Sequence, residues 1–202
     1  MIREEGKAKI IKRRIIKQRI GVTYPDIIGL ENKEAQKEIN ALIQEEIYRM
    51  IIEQGFEEDY TKEIWGDYKV KYNKNNLFSI LIYINSYSKG AAHGLTAVKG
   101  INVDLCTGRS YQLMDLFMKD SNYISTINEI INHQIMKRKV PLLIEFETID
   151  KKQDFYLKEE ALVVFFQIYE YTPYDFGIPE FEIPYTEIQD CFDTKGPAKA
   201  II

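Results

Sequence analysis

Between Leu77 and Tyr87 the chain sets Phe78, Ile80, Ile82 and Ile84 on alternate positions, and no other feature limits the fold as tightly. A period of two puts four large apolar side chains on one side of an extended strand, which must therefore lie in a sheet with that face covered. Leu81 and Tyr83 on the other parity imply partial burial of the second face too. The preceding Asn73-Lys74-Asn75-Asn76 reads as a turn from a partner strand at Tyr68–Tyr72. Afterwards Gly90-Ala91-Ala92-His93-Gly94 breaks the run and Thr96–Leu105 resumes it. Thr107-Gly108 then turns into a hairpin partner at Ser110–Leu113.

The remaining segments supply helices and a second set of strands. Ile16 to Tyr24 alternates and reads as a half-buried strand with a basic outer side, with residues 7–14 extending or preceding it. Pro25 and Gly29 mark the turn that follows. Asn32 is a good N-cap, and Ala35, Ile39, Leu42, Ile43, Met50 and Ile51 keep helical spacing as far as Gly55, giving about six turns. A second helix is expected at about 121–137, ended by Pro141, its apolar stripe running from Tyr123 through Ile127 and Ile131 to Ile135. Phe155–Leu157 and Ala161–Ile168 form a hairpin around Lys158-Glu159-Glu160. Phe181, Ile183 and Tyr185, flanked by Pro179 and Pro184, make an edge strand, and the tail from Thr194 is expected to fray. The class is α+β: antiparallel sheet with two main helices packed on it, in two helix-plus-strands halves. The halves are assigned to residues 9–90 and 91–192, as one compact unit.

Charge narrows the function. A net charge of −4 argues against nucleic acid, but it hides a split: residues 1–20 carry eight basic and two acidic side chains, the remainder 19 and 29. The basic stretch reads first as a solvated strand face and second as a contact for an anionic surface. No apolar run reaches the roughly 18 residues of a membrane helix, and no secretory signal precedes Arg3-Glu4-Glu5. The protein is expected to be cytoplasmic if Met1 is the native start, and extracytoplasmic or membrane-anchored if a longer chain has been cut. Cys106 and Cys191 are equally compatible with one bridge and with two thiols.

Candidate chemistry is sparse. His93, among small residues, reads first as a turn histidine that fixes its loop and second as a ligand contact. As a catalytic base it would need an acid such as Asp104 or the thiol of Cys106, brought close by strand pairing. His133 lies mid-helix with no carboxylate or His four residues on, since position 137 is Lys, so no metal is expected, and neither is any cofactor: the glycines fit no phosphate-binding pattern. The segment Tyr169-Glu170-Tyr171-Thr172-Pro173-Tyr174-Asp175-Phe176-Gly177 holds four aromatics in nine residues. It is either a corner pinned to the sheet or a recognition surface.

Several elements, in order, resemble a known family. Phe155-Tyr156-Leu157, Ala161 to Phe166, Tyr169-Glu170, Pro173-Tyr174, Gly177 and Ile183-Pro184-Tyr185 resemble the C-terminal domain of the anti-sigma-V factor family, domain of unknown function 3298. The pattern also includes Gly90-Ala91-Ala92-His93, the hairpin over Asn102–Leu113, and Asp115-Leu116-Phe117. Upstream, Tyr24-Pro25-Asp26-Ile27, Gly29-Leu30 and Asn40 resemble its companion domain, number 4163. The resemblance implies an envelope-associated bacterial module. In anti-sigma-V factors the pair forms the extracellular part that binds lysozyme, and a similar module precedes the catalytic domain of some peptidoglycan deacetylases. A non-enzymatic ligand-binding or sensory role follows, its ligand a lysozyme-like protein or a wall glycan. The expected contacts are His93, Tyr171, Tyr174 and Phe176. The alternatives are a wall-associated hydrolase using His93 and a cytoplasmic interaction protein.

Overall fold

The computed structural model describes residues 6–201, which fall into two units, Met1–Ser110 and Tyr111–Ile202. The first holds a five-stranded sheet in the order β1 (Lys9–Lys17), β2 (Ile20–Ile28), β3 (Glu63–Lys74), β4 (Leu77–Tyr87) and β5 (Leu95–Asp104). Helix α1 (Lys33–Glu53) connects β2 to β3, and that crossover makes the β2–β3 pairing parallel; every other step is antiparallel. Phe78, Ile80, Ile82 and Ile84 are fully buried in one cluster with Ile39, Ile43, Ile47, Met50 and Ile51 of α1. Asn32 caps the helix as expected, its Oδ1 accepting from the Glu34 and Ala35 amides at 3.1 Å.

Three expectations for this unit need correction. The strand read from Ile16 to Tyr24 is a hairpin: Gln18-Arg19 turns the chain, with Arg19 at φ 64, so Ile16 pairs with Gly21 rather than following it in one strand. Pro25 is no turn; it lies inside β2, and the chain turns after it at Gly29, with φ 75. Ser110–Leu113 forms no strand, and its pairing shrinks to a single bridge between Val103 and Ser110.

Beyond Val22, β2 has no pairing with β3, and a side chain takes the strand's place. Asn40 of α1 accepts from the Ile27 amide through Oδ1 and donates to the Ile27 carbonyl through Nδ2, both at 2.8 Å. Ile27 is fully buried, so without Asn40 both backbone groups would be stranded away from water.

The second unit has a three-stranded antiparallel sheet, β6 (Phe155–Leu157), β7 (Ala161–Phe165) and β8 (Glu180–Pro184), with helices α2 (Tyr123–Arg138) and α3 (Tyr185–Ile188). Every residue of central β7 is buried. Edge strand β8 is tied to α2 by side chains: Gln134 Nε2 donates to the Glu182 carbonyl and Arg138 to the Glu180 carbonyl, each at 2.7 Å. The expected frayed tail is instead folded, since Pro197–Ala200 makes a 3-10 turn with Ala198 fully buried. Cys106 and Cys191 are both free thiols. Among the described residues no helix is long and apolar enough to cross a membrane.

Replacing Asn40 with Leu, which keeps the branched heavy-atom skeleton but removes both bonds, is expected to lower stability by about 2–3 kcal/mol. Urea unfolding of the two proteins measures it, and an unchanged midpoint would show that Ile27 is satisfied in another way.

Candidate functional site

The segment Ser88–Gly94 between β4 and β5 presents His93 to solvent, with its Nδ1 2.9 Å from the Gly94 carbonyl. The loop is held from the side by the Asp59–Lys62 turn. The Lys89 amide donates to the Thr61 hydroxyl at 3.3 Å. Hydrogen bonds from the Ser88 hydroxyl and from Thr61 hold the Asp59 carboxyl down to about 2. Gly94 is forced by packing: a Cβ there would meet the Ser86 carbonyl at 2.6 Å.

Asp104 does not come to His93. It ends β5 opposite Leu77, whereas Leu95, next to the His93 loop, pairs with Ser86. Nine residue steps at about 3.3 Å separate them by roughly 30 Å. Asp104 instead organises its own turn, accepting from the Cys106 and Thr107 amides at 2.8 Å. Exposed Cys106 shares that far turn, and its thiol is pushed up by burial and by Asp104.

The other three expected contacts lie in the second unit. Tyr171 packs edge-to-face against Phe166 at 4.8 Å and Phe146 at 5.5 Å, and its carbonyl accepts from the Leu143 amide at 2.8 Å. It is a pin of the loop to the sheet. Tyr174 opens the 3-10 turn Tyr174–Phe176 and pairs with Tyr169 at 6.1 Å; the two are 36% and 49% exposed. Phe176 is half-buried, just before Gly177 at φ 78. Glu170 is pushed above the usual carboxylate range by burial, while its bond from the Gln167 amide, at 2.8 Å, pulls the other way.

Two features escape the sequence. A shallow groove of about 460 Å³ runs between α2, β8 and the start of α3, lined by His133, Lys137, Glu129, Glu182 and Glu187. Helical spacing alone could have joined Glu129, His133 and Lys137, but nothing in the sequence ties them to β8. The second is Trp65, 47% exposed on β3, outside the Tyr68–Tyr72 strand that the sequence marks. Among the described residues no group of three or more His, Cys, Asp or Glu is placed to hold a metal ion.

Residues 114–186 match the family described as Protein of unknown function (DUF3298), and residues 15–96 the family described as Deacetylase PdaC. More than half of the chain aligns with an anti-sigma-V factor and with a peptidoglycan deacetylase. It is 30% identical over 183 residues to the Anti-sigma-V factor RsiV of Bacillus subtilis (strain 168), covering 82% of this chain and 62% of that one. It is 28% identical over 116 residues to the Peptidoglycan-N-acetylmuramic acid deacetylase PdaC of the same strain, covering 54% of this chain and 24% of that one. The chain thus spans under two thirds of either relative. Two crystal structures of DUF3298 proteins share the fold. One from Bacteroides fragilis has TM-score 0.63 and 17% identity, with 92% of each chain covered. One from Pseudomonas aeruginosa has TM-score 0.66 and 12% identity, with 93% of each covered.

Two outcomes check this reading of the second unit. Tyr171→Ala is expected to lower stability by about 2–4 kcal/mol through lost ring contacts, and Tyr174→Ala by under about 0.5 kcal/mol. Matching melting points for the two variants would contradict the division into pin and exposed ring. Because burial raises the Glu170 carboxyl, the folded state holds its proton more tightly, so this residue costs stability as pH rises through its titration. Glu170→Gln keeps an acceptor for the Gln167 amide; it is expected to melt higher than the parent at pH 8, with the gap closing at pH 4. A gap of constant size would show that the titration of Glu170 is not its source.

Proposed function

We propose that this chain is a non-catalytic recognition module of the bacterial cell envelope. The observation that carries the reading is that one chain aligns with two relatives named for different work, an anti-sigma factor and a peptidoglycan deacetylase. A segment useful to both is best explained by a task common to both, recognition at the wall. The aligned quarter of the deacetylase leaves ample room elsewhere for the chemistry in its name. The geometry at His93 agrees, since the acid proposed for a hydrolase sits at the far end of β5.

Charge gives this reading a second ligand, a basic protein of the lysozyme kind. Residues 111–202 hold 9 basic and 16 acidic side chains, a field that speeds encounter with a cation and weakens with salt. In the second unit the exposed Tyr174, with Tyr171 and Phe176 in the same loop, is the contact such a ligand would use; in the first, the His93 loop is a separate candidate contact.

The test mixes purified protein with insoluble peptidoglycan sacculi, and separately with lysozyme at 20 and 150 mM salt, while acetate release from the sacculi is followed. Saturable binding to at least one ligand without acetate release is the expected result. Binding to neither, or acetate produced at a catalytic rate, would overturn the reading.

A further inference from the structure

The register of the first sheet lines up five residues in a row across all five strands on its outer face. Ile16 pairs with Gly21, Gly21 with Trp65, Trp65 with Asn85, and Asn85 with Thr96. Partners in register share a face. It is the face opposite the α1 core, because Val22, Ile64, Gly66 and Ile84 alternate with the row and pack inward.

The row has the relief of a furrow. Ile16 is 74% exposed and Trp65 47% exposed, and the Gly21 between them has no heavy atom within 4 Å of where a Cβ would stand. The walls are therefore two strand spacings apart, about 9–10 Å between backbones. A flat ring at van der Waals distance, about 4 Å from each wall, fills that gap. Beyond the indole the floor turns polar: the Thr96 hydroxyl donates to Asn85 Oδ1 at 2.7 Å, and Asn85 Nδ2 donates to the Trp65 carbonyl at 3.3 Å. That arrangement leaves a second Asn85 N–H and the Thr96 oxygen lone pairs for an incoming group. On the far side of the indole, Gly94 brings the base of the His93 loop to within 3.9 Å of its edge, measured from the place of a Cβ.

We propose that this furrow is a binding site for a neutral glycan chain of N-acetylhexosamine type, with a sugar ring stacked on Trp65 opposite Ile16 and its polar rim bonded by Asn85 and Thr96. The inference rests on the recognition reading above and names its ligand class and site. None of the five residues is ionised, and the exposed charges that flank them at the same parity are of both signs, Arg14 on β1 and Glu63 and Asp67 on β3, so the row favours neither a polyphosphate nor an acidic peptide. Large contiguous apolar patches mark protein–protein contacts, whereas here two apolar walls are separated by glycine and bordered by an amide and a hydroxyl. A sugar ring has the matching pattern, with an apolar C–H face and a rim of hydroxyl and acetamido groups. All five positions lie within residues 15–96, the segment that matches the family described as Deacetylase PdaC.

Trp65 is the chain's single tryptophan, so its emission reports on the furrow directly. Titration with chitotetraose is expected to give a saturable blue shift, and sacculi are expected to retain the protein. Trp65→Ala should weaken retention at least tenfold. Gly21→Leu should do the same while melting like the parent, because the new side chain enters open space at a φ outside the left-handed region. Sacculi binding unchanged in both variants would overturn the furrow and leave the recognition reading standing. Binding of lysozyme alone, with no sacculi retention and no response to chitotetraose, would overturn the glycan class. Failure to bind any of the three probes would overturn both.

Discussion

The first unit depends on the burial of one face of β4 against α1. Four side chains of β4 reach zero exposure there, and each is worth about 1.5–3 kcal/mol relative to water. Ridge residues Ile39, Ile43 and Ile47 follow helical spacing so that they stay over that face for about two turns. Because α1 occupies the inner face, the outer faces of β3, β4 and β5 are free to carry other residues at the Trp65 end. Gly66 belongs to this constraint. A Cβ there would lie 2.7 Å from the Tyr83 carbonyl and 2.8 Å from Ile84, so the closeness of β3 to β4 next to Trp65 requires glycine.

Where strands run out of partners, side chains take over. Asn40 pairs with both backbone groups of Ile27, imitating the strand that β3 does not supply. Gln134 and Arg138 do the same for the carbonyls of Glu182 and Glu180 on β8, and the Arg138 guanidinium also lies 5.2 Å from the Phe181 ring centre. In both units a helix is thus fixed to a sheet by directional bonds as well as by apolar contact. Such bonds set the register of helix on sheet, which hydrophobic burial alone leaves loose. Asn40 therefore has a physical role that accounts for its place in the family resemblance beside Tyr24-Pro25-Asp26-Ile27.

Local periodicity was a good guide to elements and a poor one to turns. The alternation around Phe78–Ile84 and the cap at Asn32 each depend on neighbours within a few residues, and both appear as read. The Ile16–Tyr24 alternation misled because a two-residue hairpin at Gln18-Arg19 can preserve an apolar rhythm while reversing the chain. Ala198 is buried for a tertiary reason invisible in a polar, Gly-Pro-containing tail. The four aromatics of the 169–176 loop were legible as a cluster, but not their division into a packed Tyr171 and an outward Tyr174, which depends on Phe146 and Phe166.

The row from Ile16 to Thr96 marks the limit of that kind of reading. Its members are spread over 81 residues and five strands, and no two are neighbours in sequence, so only the pairing register assembles them. A slip of one residue in any single pairing would send part of the row to the inner face. The registers are held at different places by different means: by the Gln18-Arg19 turn for β1 and β2, by the close approach at Gly66 for β3 and β4, and by the Ser79–Asn102 hydrogen bond at 2.6 Å for β4 and β5. The buried Ser79–Asn102 pair lies on the outer parity, toward the opposite end of β4 and β5 from Asn85 and Thr96. A hydrogen bond too far away to touch a ligand in the furrow thus helps decide that Thr96 stands beside Asn85, and specificity at the surface is inherited from polar groups in the interior.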